Sequence, residues 1–337
     1  MSMAPLELAP LELVCPAGTP AALRDAVDAG ADVIYCGFRD ETNARNFPGL
    51  NFSRPELRDG IGYAHQRRRE VFVAINTYAA AGNQAAWHSA IDDAAALGAD
   101  AAIIADIGLL DYAAQKHPDL RLHLSVQAAA SHADAIRFYH EAFGVRRVVL
   151  PRVLTVAEIA QLTRQIPVET EVFAFGGMCP MAEGRCSLSS YVTGQSPNRQ
   201  GVCSPASHVR YEQRGEALVS SLGGSTINVF DKGEKAGYPT LCKGRFSVGS
   251  YASYLFEEPT SLSTGEILRD LAAAGVKALK IEGRQRGRAY VAEVVRQFRT
   301  LVDGLARDET PSAAVAALRQ LAEGQQDTSG AYRKGWR

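Results

Sequence analysis

Four of the six cysteines, Cys179, Cys186, Cys203 and Cys242, fall in one stretch with the spacing C-x6-C-x16-C-x38-C. Four thiolates can hold a zinc ion or an iron–sulfur cluster. Structural zinc usually shows a short C-x2-C-type knuckle, and none occurs here. A cubane cluster is larger than one ion and accepts ligands from well-separated loops, so the spacing favours [4Fe–4S]. A zinc site and unrelated buried cysteines stay open on spacing alone. Cys15 and Cys36 lie in apolar runs, where a cysteine packs as a small hydrophobe.

A second set of residues stands at the ends of short apolar runs: Asn43 and Arg45, Asn76, Asp106, Gln127, Arg152, then Glu282 and Arg284. Arg245, close behind Cys242, joins it by position alone. Arginine forks suit bidentate recognition of carboxylates. The set therefore predicts a small anionic, dicarboxylate-like substrate bound by Arg45, Asn76, Gln127, Arg152, Arg245 and Arg284. Glu282 and Asp106 are the candidates for moving protons. Singly, each of these residues could equally serve a structural pair; as a group, polar residues recurring at nearly every run end favour a site.

Familiar hydrolase signatures are missing: there is no H-E-x-x-H and no G-x-S-x-G. His140-Glu141 has no second histidine at the required position. Ser187, Ser189 and Ser190 flank Cys186 without a visible base to activate a nucleophile. They are read as hydrogen-bond donors around cluster sulfurs.

Positioning these groups requires a scaffold, and its pattern is repetitive. A glycine-marked helix end leads into an apolar run at Gly30, Gly98, Gly144 and Gly275. Eight apolar runs can be counted, at 11–15, 32–37, 71–77, 101–106, 120–127, 147–152, 169–175 and 278–282. They are continuous rather than alternating, the mark of parallel strands covered on both faces. Amphipathic segments at 21–29, 55–68, 84–97, 108–116, 133–143 and 156–164 separate them. Strict alternation with eight strands predicts an α/β fold of the (β/α)8 TIM-barrel type, its site at the C-terminal strand ends. An open doubly wound sheet is the competitor, but no Gly-rich dinucleotide turn follows the first run.

The alternation breaks after Phe175. The next convincing helix is Glu266–Ala274, with Ser263 and Glu266 as a capping box. The intervening Gly-, Ser- and Pro-rich stretch carries the four cysteines, and a hairpin is expected at Gly223-Gly224. Residues 1–303 thus read as a single barrel with a 177–262 iron–sulfur insertion, followed by a 304–337 helix and tail. With 36 basic and 37 acidic side chains the net charge is −1, so no global basic field exists to collect nucleic acid or anionic lipid. No apolar run approaches a membrane span, and the start lacks a basic leader. A cytoplasmic location follows as an expectation.

The stretch Glu171-Val-Phe-Ala-Phe-Gly-Gly-Met-Cys179-Pro-Met-Ala-Glu-Gly184-Arg-Cys186-Ser-Leu-Ser189 resembles the signature of the collagenase-like peptidases of unassigned mechanism, family thirty-two. Gly177 departs from the usual Ser or Ala. The likeness extends through Cys15–Gly18, Asp40–Phe52, Ala74–Thr77, Ser125–Gln127, Arg147–Arg152, Cys203–Ala206, Gly237–Arg245, Glu257–Leu262, Lys280–Arg286 and Gly330–Tyr332. It is strongest to the branch serving ubiquinone biosynthesis. That resemblance implies a [4Fe–4S] cluster on Cys179, Cys186, Cys203 and Cys242. It also implies a heterodimer with a UbiV-like partner, and oxygen-independent hydroxylation of a ubiquinone precursor with prephenate, a dicarboxylate, as oxygen donor. Family relatives that hydroxylate RNA supply a second reading, which the near-neutral charge disfavours. A non-enzymatic cluster carrier or scaffold is a third. Peptidase activity finds no nucleophile–base pair to support it.

Overall fold

The computed structural model describes residues 10–179, 181 and 186–333. Eight parallel strands close into a barrel: β1 (Glu12–Pro16), β2 (Val33–Cys36), β3 (Glu70–Ile75), β4 (Ala101–Ile104), β5 (Arg121–Leu124), β6 (Arg147–Val149), β7 (Glu169–Gly177) and, after an insertion, β14 (Ala278–Ile281). β14 pairs with both β7 and β1, which completes the ring. The eight apolar runs of the sequence are these eight strands. Helices α1 (Pro20–Asp28), α2 (Arg54–His65), α3 (Ala85–Ala96), α4 (Ile107–Lys116), α5 (Ala133–Phe143) and α6 (Val156–Thr163) fill the intervals. Their starts are set locally. Thr19 caps α1 ahead of Pro20, and capping boxes form at Ser53 with Glu56 and at Thr155 with Glu158, each satisfying amides that the first helical turn leaves unpaired.

The chain leaves the barrel at the end of β7 and builds the insertion. It comprises α7 (Ser187–Thr193), α8 (Pro197–Gln200), an antiparallel sheet of β8 (Val209–Arg214), β9 (Ala217–Leu222) and β10 (Ser225–Phe230), and the hairpin β11 (Arg245–Val248) with β12 (Tyr251–Tyr254). The turn at Gly223-Gly224 joins β9 to β10, as its sequence predicts. The chain returns as β13 (Ser261–Ser263), antiparallel to β7 with Ser261 opposite Gly177. Then come α9 (Leu268–Ala273), β14, α10 (Arg288–Leu305), α11 (Ser312–Leu321) and β15 (Asp327–Thr328), which pairs with β13. The expected capping box at Ser263 does not form. Ser263 belongs to β13, Thr264 donates its amide to the Ala174 carbonyl, and α9 begins later without a side-chain cap. Sheet pairing outcompetes the local cap there.

A large apolar layer lies between strands and helices, drawing on Leu13, Ile34, Val73, Ile104, Leu279 and Phe298. The barrel interior is different on its two sides. One side is apolar, with Val14, Val33, Tyr35, Phe72, Ala101, Ile103 and Ala278. The other carries the buried His123, Arg147, Glu171 and Lys280. Among the described residues no helix is long and apolar enough to cross a membrane.

Candidate functional site

Strand parity places Lys280 and Glu282 on one face of the last barrel strand, both directed inward. The Glu282 carboxylate bridges two arginines from the loops after β2 and β6: Oε2 accepts from Arg152 Nη2 at 2.5 Å and Oε1 lies 3.4 Å from Arg45 Nη2. Arg152 stacks over the Phe173 ring at 3.7 Å, which fixes the plane of its fork. Burial alone would raise the Glu282 carboxyl, but Arg152 and Arg45 outweigh it and hold the group below the ordinary carboxylate range. A carboxylate so stabilised is a poor base. In this structure Glu282 is the shared acceptor of Arg45 and Arg152.

Arg284 lies beneath the loop after β2. It is buried, donates from Nη1 to Asn43 Oδ1 at 3.1 Å, and faces the Tyr35 ring with Cζ at 5.7 Å. Its Nε has no hydrogen-bond partner. Burial depresses its pKa to about 10. Lys280 sits deeper, with Nζ 2.6 Å from Glu171 Oε1 and 3.9 Å from the Tyr35 centroid. Tyr35 donates its hydroxyl to the Ile281 carbonyl at 2.9 Å. Tyr35 thus lies against both the Lys280 and the Arg284 cation.

The other rim candidates have different settings. Asn76 accepts the Ala44 amide at 3.0 Å, pinning the loop that carries Arg45. Gln127 is buried in a short helical turn, and its Oε1 has no hydrogen-bond partner. Asp106 caps α4, with Oδ1 accepting from the Gly108 and Leu109 amides. These bonds engage Asp106 as the N-cap of α4. Arg245 is drawn to the insertion, 3.0 Å from Glu234 and bonded to the Val229 carbonyl at 2.7 Å. Lys280, Tyr35, Glu171 and Phe173 are not singled out by sequence reasoning.

The four clustered cysteines sit in the insertion, Cys179 exposed and the others half-buried. Among the described residues no disulfide forms. Burial raises the Cys203 thiol, Arg45 opposes, and Cys179 and Cys186 add to the rise. Burial likewise raises Cys242, with Cys203 and Cys186 contributing. A Cβ on Gly201, whose φ is +83°, would stand 2.5 Å from the Asn43 carbonyl oxygen, so the segment leading to Cys203 lies directly on the loop after β2. The Ser189 amide donates to Cys186 Sγ at 3.4 Å, and its hydroxyl lies 3.3 Å from the same sulfur. Ser190 turns instead to the Cys186 carbonyl at 3.1 Å. Among the described residues no three His, Cys, Asp or Glu side chains converge as a single-ion site would need.

The sequence matches the family model of Peptidase family U32 over residues 18–336. Similar proteins include tRNA hydroxylation protein P of Haemophilus influenzae, 29% identical over 88% of this chain and 68% of that one. The protein of the same name from Helicobacter pylori is 31% identical over 87% of this chain and 64% of its own length. The 23S rRNA 5-hydroxycytidine C2501 synthase of Escherichia coli is 27% identical over 92% of this chain and 42% of its own length. The chain thus spans about two thirds of the length of the tRNA hydroxylation relatives. These names concern RNA and are not specific to ubiquinone. A solved U32 peptidase matches with a TM-score of 0.42 at 15% identity, over 53% of this chain and 74% of that one. With the match running from the first barrel turn through the cysteine segment to the C-terminal strap, this chain belongs to Peptidase family U32.

Proposed function

We propose that this chain is an iron–sulfur hydroxylation subunit whose barrel mouth binds a small dicarboxylate oxygen donor. One observation carries the reading. The loop that carries Arg45, a partner of Glu282 at the rim, packs at Asn43 against Gly201, two residues before Cys203, so a ligand held by the arginines would lie near the cysteine segment. Cys179, Cys186, Cys203 and Cys242 would hold a [4Fe–4S] cluster. The donor chemistry suits such a group: four thiols on separate segments, with the Ser189 amide donating to Cys186 Sγ at 3.4 Å. Such a group supplies electrons or Lewis acidity to the donor oxygen. The chain's own residues do the rest. Arg45 and Arg152, aligned by Glu282, take one carboxylate of the donor, and Arg284 with its unpartnered Nε offers a donor to the second. The Phe173 ring under Arg152 and the Tyr35 ring beside Arg284 keep these forks oriented and partly dry, which strengthens charge-assisted bonds.

Within this reading the donor is prephenate, the acceptor a ubiquinone precursor, and a UbiV-like protein the partner, acting without molecular oxygen as UbiU does. The basis is the sequence resemblance together with the near-neutral charge. The names of the tRNA and rRNA hydroxylation relatives favour a second reading, an RNA acceptor, and salt-steep RNA binding by the purified chain would select it. The deciding experiment for the shared core is anaerobic metal and sulfide analysis. Wild type is expected to be brown with about four irons per chain, and Cys179→Ala colourless. A colourless wild-type protein with one zinc would overturn the proposal.

A further inference from the structure

The segment after α11 reaches three parts of the molecule through one residue, Glu323. Glu323 Oε2 accepts from Lys243 Nζ, its Oε1 accepts from Arg286, and its amide donates to Ser261 Oγ at 2.9 Å. Lys243 directly follows Cys242, and Arg286 lies two residues past Arg284. The Lys243 and Glu323 side chains are 15% and 23% exposed, so their attraction is screened less than that of a surface pair.

The strap carrying Glu323 is itself well anchored. Ser261 donates its amide to the Gln326 carbonyl at 3.0 Å, β15 pairs with β13, and Tyr332 donates its hydroxyl to the Phe173 carbonyl at 2.8 Å. Phe173 is the ring under Arg152. By contrast, the Cys242 segment is a single helical turn, 241–243, bounded by the bonds Lys243 N to Thr240 O at 3.1 Å and Glu257 N to Cys242 O at 3.1 Å. Those bonds fix its local shape, and both partners belong to the insertion. The Lys243–Glu323 pair ties it to the barrel.

We propose that Glu323 is a positioning residue, tethering the Cys242 turn to the barrel mouth and to the loop that carries Arg284. Its relevance to a metal centre rests on the cysteine reading above, whereas the tether does not. A glutamine keeps one acceptor and loses the charge, so Glu323→Gln tests the tether with little change in shape. Arg319→Gln is the control. It breaks the 2.9 Å pair between Arg319 of α11 and Asp327 of the strap without touching Lys243.

Hydrogen exchange of the metal-free full chain, read by mass spectrometry, gives the first measurement. Glu323→Gln should speed exchange at Lys243, Gly244 and Glu257 about fivefold, the factor for 1 kcal/mol of local opening, while β3 and Arg319→Gln stay at wild-type rates. In iron-reconstituted protein, Glu323→Gln should lose iron to a chelator faster than Arg319→Gln. Unchanged exchange in Glu323→Gln, or an equal rise in β3, would overturn the tether. The expected exchange pattern in a wild type that takes up no iron would support the tether and overturn the cluster.

Discussion

Glu171 offers the sharpest test of the charged half of the barrel. It is fully buried on β7, with Oε1 2.6 Å from Lys280 Nζ and Oε2 3.5 Å from Arg147 Nη1. Glu171→Ala removes charge from between two buried cations, but not equally. Arg147 keeps Glu169 at 2.6 Å and Glu12 at 2.7 Å. Lys280 keeps the Tyr35 ring, a cation–π contact of about 2 kcal/mol when desolvated. Breaking one partner of a buried pair costs about 3–5 kcal/mol, and the ring offsets part of it, so the expected loss is about 3 kcal/mol. Replacing both partners by apolar groups removes the stranded charge, and Glu171→Leu with Lys280→Met should return to within about 1 kcal/mol of wild type. Urea titration of the metal-free chain reports this through Trp87, buried on α3 with Nε1 3.0 Å from Thr77 Oγ1. A loss below about 1 kcal/mol in Glu171→Ala, or a double variant that is merely additive, would show that water screens the interior and would refute the reasoning.

Other expectations follow from the same geometry. Burial, with Arg147 and Arg121 adding, holds His123 well below its usual pKa, so the unfolded chain binds the extra proton first. Stability should fall by about 1.4 kcal/mol per pH unit below about 6.5 until the folded value is reached, and His123→Phe should lack that slope in urea melts across pH. Gly176 has φ +145°, and a Cβ there would stand 2.6 Å from Glu282 Cβ. Gly176→Ala should therefore displace Glu282 and weaken binding of a dicarboxylate probe such as malonate, read by calorimetry. Arg284→Met should weaken the same binding by about tenfold or more, the loss of one charge-assisted bond, with the thermal midpoint no lower than that of wild type because a buried cation is removed.

The barrel is readable because parallel strands covered on both sides are continuous apolar runs, and the eight runs stand out against capped helices. The same continuity hides the interior charges. β6 has only three residues and β14 four, too short for alternation to announce that Arg147 and Lys280 point inward. The rim is legible as a group from strand ends, but the tasks within it are not. Asp106 and Asn76 hold loops, and Glu282 is clamped by arginines that are distant in sequence. The seven-residue α7 is too short a helix to carry much periodicity, and the Ser263–Glu266 cap loses to a ladder partner that no local pattern could reveal.

The ladder between Gly177 and Ser261 gives the insertion its exit and re-entry at adjacent points. To the barrel, the whole cysteine-bearing segment is then topologically a hairpin loop. Loop-closure cost grows only with the logarithm of length, about 0.6 kcal/mol per doubling. The segment can therefore lengthen, shorten or be exchanged with little effect on barrel closure, while the strands that aim the arginines stay in register. A scaffold built this way can acquire a new acceptor surface without rebuilding the rim beneath it.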